Sequence, residues 1–564
     1  MILASARQCH PRRWLKSQSP GITAYGVAAM LTLSSIGGAS AGDRAQDCAK
    51  LQHLKIPASA IGLATAGATV TSALLITGLE AGGPSFEYCR VIGVIAPTRA
   101  DARTGTPPIN FQINLPTNWN GKAVHMGGGG YNGTIVTGLT PVLHILGVPP
   151  IRQGYATYGS DSGHTGLLTN ADFGANPAAL KNFAYEHIKK THDAALVVTA
   201  EKYGRRPTKS YFAGASTGGR EGLTAVERYS QDYDGVVINA PAIYFSGMRL
   251  IGLRIGAAAY ESTAGFVSTA KFDALRAAVL KACDADDGLA DGVVSDIASC
   301  RAKEASITEA VKCPVGQDSS ACLTEAQIKT VRAIADDLVH PYPLAYGVRD
   351  YPGYNILQGA DFARGLGMGT SPAALSPPQS AENGYMYSQG DAYIRNFVTR
   401  ERGASSFKIA DPGRFLHRLQ TLSEMIGAMN PDTAAFQARG GKLLVTHGLA
   451  DDAVSPNGTI KYYNEQIARF GQEKVDTFFR LYMVPGFGHG FGAFIPSWNG
   501  VEVLDKWVAG GQRPDTLTAT DVALQTAGRT RPLCVFPKFP RYKGQGAAND
   551  ASNFECVSGT EERK

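Results

Sequence analysis

One stretch of the 564-residue chain limits its fold more than any other: Ser210-Tyr-Phe-Ala-Gly214-Ala-Ser216-Thr-Gly218, continued by Gly219-Arg-Glu-Gly-Leu-Thr-Ala-Val-Glu227. Residues 210–213 read as a strand that runs straight into a glycine, and residues 219–227 read as a helix. Passing from strand to helix inside G-x-S-x-G requires so sharp a turn that a Cβ at either glycine would clash, and the serine takes a strained backbone. The result is a hydroxyl, that of Ser216, presented at the start of a helix. A strand feeding directly into a helix belongs in a mostly parallel sheet with helices on both faces.

The neighbouring sequence supports this reading. Residues 111–115 and 122–126 read as strands, the second ending in four glycines at 127–130. Helical spacing runs over 180–203 and stops at Gly204, and a further strand follows at 235–239. From about residue 246 to 430 the character changes: few β-branched runs, four cysteines, an Asp/Gly-rich segment and Pro/Gly/Tyr-rich turns. Strand patterns return at 442–446 and 479–484. The expected architecture is an α/β-hydrolase fold with a large inserted lid domain. Residues 1–41 are a signal peptide, 42–245 the first part of the hydrolase domain, 246–430 the lid, and 431–564 its second part.

A serine hydroxyl needs a base within hydrogen-bond reach, and the base needs an orienting acid. In this fold the chain order is Ser, acid, His. The strand at 442–446 is followed by His447-Gly-Leu-Ala-Asp451-Asp452, and the strand at 479–484 by Pro485-Gly-Phe-Gly-His489. Asp451 and His489 therefore complete the candidate triad with Ser216. Asp452 is the alternative acid. His447 is the alternative base, although it precedes the acid and follows the wrong strand. His164, in Ser160-Asp-Ser-Gly-His164, reads as structural. Donors for the developing oxyanion are expected from the N–H of Thr217 and from the glycines at 127–130. That glycine run is not a phosphate loop, because it lacks both the dinucleotide fingerprint and a Lys-Ser/Thr pair.

Export is read from the N-terminus: Arg7, Arg12, Arg13 and Lys16, a broken apolar stretch over 22–36, and Ala39-Ser-Ala41 as the small-x-small cleavage site. The short apolar run argues against a membrane anchor, so no membrane span is expected after cleavage. The chain has 54 basic and 48 acidic residues; the first 41 hold four of the basic ones and no acidic one, leaving 50 against 48. With no basic cluster, nucleic acid is not an expected partner. Nine cysteines leave eight after Cys9, in the signal, is removed, an even number suited to disulfides in an exported chain. Their order offers the local pairs Cys48–Cys89, Cys283–Cys300, Cys313–Cys322 and Cys534–Cys556, among the many connectivities that eight cysteines allow. The segment Cys283-Asp-Ala-Asp-Asp-Gly-Leu-Ala-Asp-Gly-Val-Val-Ser-Asp296 gathers carboxylates of the kind a hard cation attracts, without EF-hand spacing; a solvated acidic turn is the other reading.

These motifs together resemble the tannase and feruloyl esterase family, which also includes an enzyme hydrolysing mono(2-hydroxyethyl) terephthalate. The resemblance is carried by Leu115-Pro-x-x-Trp-Asn-Gly121, the 127–130 glycines, Ser160-Asp-Ser-Gly-His164, the Ser216 segment, Asp234-Gly, Asn239-Ala-Pro-Ala242, Cys283-Asp-x-x-Asp-Gly-x-x-Asp-Gly292, His447-Gly-x-x-Asp451, Arg531-Pro-Leu-Cys534 and Tyr542-Lys-Gly544. It implies a secreted or periplasmic hydrolase of small aromatic-acid esters and a lid with one structural Ca²⁺. The ligands implied are Asp284, Asp287 and Asp291 with the carbonyls of Leu289 and Val293. It also implies Gly129 as the early-loop oxyanion donor, and its disulfide pattern agrees with the four local pairs. Arg395, near Phe397, is a candidate contact for a substrate carboxylate or phenolic ring; a lid salt bridge is its other reading. One departure stands out. The family's cysteines just before the nucleophile and just after the base are here Ala215 and Gly490, which implies an atypical branch lacking the active-site disulfide. Two other readings share the residues: amide hydrolysis or acyl transfer by the same triad, and a Ca²⁺-stabilised binding protein that has lost catalysis.

Overall fold

The computed structural model describes residues 41–559 except 79–85, 141–146, 405 and 409–413. The signal expected at 1–41 thus falls outside the described residues but for its last position. No described helix is long and apolar enough to cross a membrane.

A ten-stranded sheet organises the chain. Strands β1 (Lys55–Ile56), β2 (Ala68–Gly78), β3 (Phe86–Ile95) and β4 (Ile109–Pro116) form an antiparallel meander. Strands β5 (Lys122–Met126), β6 (Ala156–Ser160), β7 (Lys209–Ala215), β8 (Gly235–Asn239), β9 (Lys442–Gly448) and β10 (Phe479–Val484) are parallel to one another. The two parts meet where β4 pairs antiparallel with β6. Across the sheet the order is β1-β2-β3-β4-β6-β5-β7-β8-β9-β10. The expectation of a mostly parallel sheet thus holds for the part that carries the candidate site, while the first four strands run antiparallel. Strands β8 and β10 are buried at every position, the pattern of a sheet covered on both faces.

Helices α1 (His187–Tyr203), α2 (Thr217–Arg228), α3 (Phe245–Tyr260), α4 (Pro456–Phe470) and α5 (Gly500–Gly510) accompany these strands. Helix α1 ends at Gly204, whose φ of 70° closes the helix in the left-handed conformation that glycine tolerates best. It is entered through a π-helical segment, Asn182–Glu186, so the helix expected over 180–203 is interrupted by an extra-residue bulge.

Between β8 and β9, the described residues of 240–441 form mostly helices among their regular elements and bond to the loops that follow β5 and β9. Their segment 351–366 grips the loop after β9: Asn355 Nδ2 donates to the Leu449 carbonyl, Tyr354 Oη to the Ala453 carbonyl, and Leu366 N–H to Asp452 Oδ2. After β10 come a small antiparallel sheet, β11 (Pro496–Ser497), β12 (Thr516–Asp521) and β13 (Thr530–Cys534), and a hairpin, β14 (Lys538–Tyr542) with β15 (Phe554–Ser558). All four local disulfide pairs are present: Cys48–Cys89, Cys283–Cys300, Cys313–Cys322 and Cys534–Cys556.

Candidate active site

Ser216 sits between β7 and α2 with φ 59° and ψ −122°, outside the regions L-residues favour. Backbone bonds on every side hold it there. Its N–H donates to the Asn239 carbonyl, and its own carbonyl accepts from Arg220 N–H and Ala242 N–H. The glycines around it are steric necessities. A Cβ on Gly214 would lie 2.4 Å from the Gly218 oxygen, and one on Gly218 would lie 2.7 Å from the Gly128 oxygen. Ser216 is 9% exposed, and its Oγ has no hydrogen-bond partner among the described residues.

Strand order brings the other two residues to the same edge. Strands β7, β8, β9 and β10 are successive parallel neighbours, so the loops after β7, β9 and β10 leave from one side of the sheet. Asp451, fully buried, follows β9. Its Oδ1 accepts the N–H groups of Ala453 and Val454 at 2.8 and 2.7 Å, and its Oδ2 accepts His489 Nδ1 at 2.7 Å. His489 lies at the tip of a tight turn. Phe487 and Gly492 form an antiparallel bridge, and Gly488 N–H bonds the Phe491 carbonyl at 2.7 Å. The two turn residues are His489 and Gly490, and Gly490 has φ 97°. A β-carbon there would be strained, at the position where the family resemblance leads one to expect cysteine. Position 215 is alanine, and none of the four disulfides joins the loops bearing Ser216 and His489.

The electrostatics of this pair are opposed and coupled. Burial works to raise the pKa of Asp451, but the His489 charge and the bonds from His447 and His489 outweigh it and hold the carboxyl well below its usual range. Burial also works to lower the pKa of His489, and the Asp451 carboxylate more than reverses this, so its pKa lies above the ordinary histidine value. Asp452 behaves differently. Burial, reinforced by the charge of Asp451, pushes its pKa well up; its Oδ2 takes the Leu366 N–H and its Oδ1 has no partner. It is bonded to Leu366, in the segment between β8 and β9, whereas Asp451 is bonded to the imidazole. His447 has both ring nitrogens engaged, Nδ1 with Thr459 Oγ1 at 2.7 Å and Nε2 with the Val454 carbonyl at 3.2 Å, and is fully buried. His164 hydrogen-bonds the Tyr131 carbonyl through Nε2 at 2.7 Å, in keeping with a structural residue.

The glycine run forms the other wall. Its polar groups are mostly used internally: the Gly128 carbonyl accepts Gly218 N–H, the Gly129 carbonyl accepts Asn132 N–H, and the Gly130 carbonyl accepts Thr217 Oγ1. The N–H groups of Gly129 and Thr217 have no acceptor among the described residues. A Cβ built on Gly129 meets nothing within 4 Å, so its Cα faces open space. Sequence reasoning missed the residue beneath this loop. Glu221, buried on α2, accepts Gly128 N–H at 3.0 Å and Asn132 Nδ2 at 2.6 Å. The signal was present: a helix carrying Gly218, Gly219 and Gly222 packs closely, so a carboxylate on it needs partners.

Two remaining candidates stand apart from these loops. Arg395 forms an ion pair with Asp391 at 2.6 Å and donates to the Arg402 carbonyl, so it is engaged in a salt bridge in this structure. In the Asp/Gly segment, Asp284 accepts the N–H groups of Gly292 and Val293, Asp287 accepts that of Leu289, and Asp291 pairs with Arg531 at 2.8 Å. Among the described residues no three acidic, histidine or cysteine side chains converge as a metal cluster. Asp287, Leu289, Asp291 and Val293 nevertheless line one small cavity of about 20 Å³. Burial, with repulsion from Asp291 and Asp284, raises the pKa of Asp287 to about 6. Asp284 and Asp287 form no ion pair among the described residues while Asp291 is shared with Arg531, and this all-oxygen donor set fits a hard cation.

The family model described as tannase and feruloyl esterase matches residues 89–557. An uncharacterized esterase of Agrobacterium fabrum is 40% identical over 520 residues, covering 90% of this chain and 93% of that protein. A probable feruloyl esterase of Arthroderma benhamiae is 34% identical over 470 residues, covering 80% of this chain and 82% of its own length. The crystal structure of feruloyl esterase B from Aspergillus oryzae superposes with a TM-score of 0.74 at 24% identity, covering 91% of this chain and 100% of that one, which establishes the shared α/β-hydrolase fold. The chain belongs to the tannase and feruloyl esterase family and is a carboxylic ester hydrolase.

Proposed function

We propose that the protein is an exported serine esterase hydrolysing esters of aromatic acids, of the feruloyl, galloyl or terephthaloyl type. The observation that carries this reading is the bond between His489 Nδ1 and Asp451 Oδ2, on loops leaving the same sheet edge as Ser216. A carbonyl oxygen accepts but cannot donate, and a carboxylate likewise, so Asp451 fixes the proton on Nδ1 and leaves Nε2 as the basic nitrogen. Ser216 Oγ attacks the ester carbonyl carbon while His489 Nε2 takes the hydroxyl proton. The oxyanion is received by the N–H groups of Gly129 and Thr217. Collapse expels the alcohol, which takes the proton from His489, and water then releases the acyl group by the same steps in reverse. The aromatic acyl class is supported by the family and by the relatives' names. Export is supported by the four disulfides. The alanine and glycine at 215 and 490 support the placement in a branch without the active-site disulfide.

Asp284, Asp287 and Asp291, with the carbonyls of Leu289 and Val293, would hold a Ca²⁺ ion. The ion would neutralise the crowded carboxylates and stiffen this part of the lid.

The test is a panel of feruloyl, galloyl and terephthaloyl esters, with the corresponding amides, assayed on wild type and Ser216→Ala. Loss of ester turnover in a folded variant supports the reading. Unchanged ester turnover overturns it, and a preference for amides would shift the activity to the other triad chemistry.

A further inference from the structure

Glycines at 127–130 leave the oxyanion loop without side chains to hold it, yet catalysis needs its donor fixed before the substrate arrives. The loop is pinned instead by two peptide planes. The Gly128 carbonyl accepts Gly218 N–H at 2.9 Å. A trans peptide is planar, so the Gly129 N–H on the same unit must point away from that bond. The preceding plane is fixed by Glu221, whose Oε2 accepts Gly128 N–H at 3.0 Å. Its Oε1 accepts Asn132 Nδ2 at 2.6 Å, and Asn132 Nδ2 also reaches Ser162 Oγ at 2.6 Å. One carboxylate therefore grips the loop on both sides of Gly129 from the helix that begins at the nucleophile.

The surroundings favour its charge. His187 Nε2 lies 3.4 Å and Arg220 Nη2 3.7 Å from Oε1. His187 is set by the π-helical entry to α1, its Nδ1 donating to the Asn182 carbonyl at 2.6 Å. Arg220 is held by the carbonyls of Ala184 and Phe183. Burial would raise the pKa of Glu221, but His187, Arg220 and Asn132 outweigh it and keep the carboxyl below its ordinary value.

We propose that Glu221 is the positioning residue of the oxyanion hole: an ionised carboxylate that locks Gly128 so that the Gly129 N–H faces the reacting carbonyl. The proposal rests on the triad reading above. It is tested with Glu221→Gln, Asn132→Ala and the double variant Glu221→Gln/Asn132→Asp, which reverses donor and acceptor. Each is assayed for kcat, KM, and inhibition by a trifluoromethyl ketone and by the free aromatic acid. Glu221→Gln is expected to lose about 30- to 300-fold in kcat with KM within about threefold. The ketone, which forms a tetrahedral anion, should weaken by a similar factor, while inhibition by the free acid stays unchanged. Asn132→Ala should show the same pattern at about 5- to 10-fold, and the double variant should recover to within about 10-fold of wild type. Wild-type kcat and ketone affinity in folded Glu221→Gln overturn the proposal. If Glu221→Gln does not fold, the same result in Asn132→Ala overturns it. Ser216→Ala separates the two readings: retained turnover there overturns the triad itself, whereas a dead Ser216→Ala beside a normal Glu221→Gln overturns only the brace.

Discussion

His447 Nε2 stands 3.3 Å from the same Asp451 oxygen that His489 Nδ1 bonds at 2.7 Å. Asp451 thus has an imidazole on each side, one at the tip of a turn and one inside β9. Only the first is free at its second nitrogen to serve a nucleophile. Replacing His489 by alanine should lower kcat by about 10⁴-fold or more, while His447→Gln should cost only about 10-fold, through a less well anchored Asp451. Steady-state rates on a single aromatic ester check this; equal losses in the two variants would reassign the base.

The raised pKa of His489 should set the acid limb of the pH profile. Catalysis needs the neutral imidazole, so kcat/KM should fall as pH drops through a value above the ordinary 6.5. Asp451→Asn removes the main cause of the upward shift. In that variant the limb should move to lower pH while kcat drops by about 10⁴-fold. A limb that stays in place would separate Asp451 from the base.

Asp452 is a cost that the fold carries at neutral and alkaline pH. Its folded-state pKa lies well above 3.8, so the unfolded chain gives up this proton first, and stability declines as pH climbs from about 3.8 toward the raised value. Asparagine keeps the shape, can still accept Leu366 N–H and never ionises. Asp452→Asn should therefore be more stable than wild type by about 1–2 kcal/mol at pH 8, with little difference near pH 4. Thermal melts at the two values measure it, and a gain of equal size at both would exclude ionisation as the cause.

Calcium should protect the fold and do so less in acid. Adding Ca²⁺ to chelator-treated protein is expected to raise Tm by about 5 °C at pH 7.5. Because Asp287 takes up a proton as pH falls through about 6, the increment should shrink at pH 5. Asp287→Asn should remove it at both, whereas an increment that survives this substitution would place the ion elsewhere.

The strands around the candidate site were legible because each is a short apolar run ended by a glycine or a polar loop. Strands 122–126, 235–239 and 479–484 coincide with β5, β8 and β10. The chain order of Ser216, Asp451 and His489 was legible for the same reason. Strands β2 and β3 were not read at all, and their direction was hidden too, since strand polarity depends on how segments connect and residue pattern carries no record of it. The partners of Glu221 were hidden by distance along the chain: Gly128 and Asn132 lie 93 and 89 residues away. A helix pattern shows that a carboxylate will be buried, but only the folded sheet shows which loop it meets. The π-helical residues at 182–186 were read as ordinary helix because one extra residue does not disturb the apolar spacing enough to register.

The Phe487–Gly492 hairpin bears on how the enzyme would respond to its redox surroundings. His489 is delivered by a backbone turn with a glycine at its corner, and none of the four disulfides ties it to the strand that carries Ser216. A thiol reductant would open the outlying crosslinks, loosening the meander, the segment between β8 and β9 and the C-terminal hairpin, without cutting any link between imidazole and hydroxyl. Under reducing conditions, then, heat tolerance would be the first property lost and turnover at moderate temperature the last.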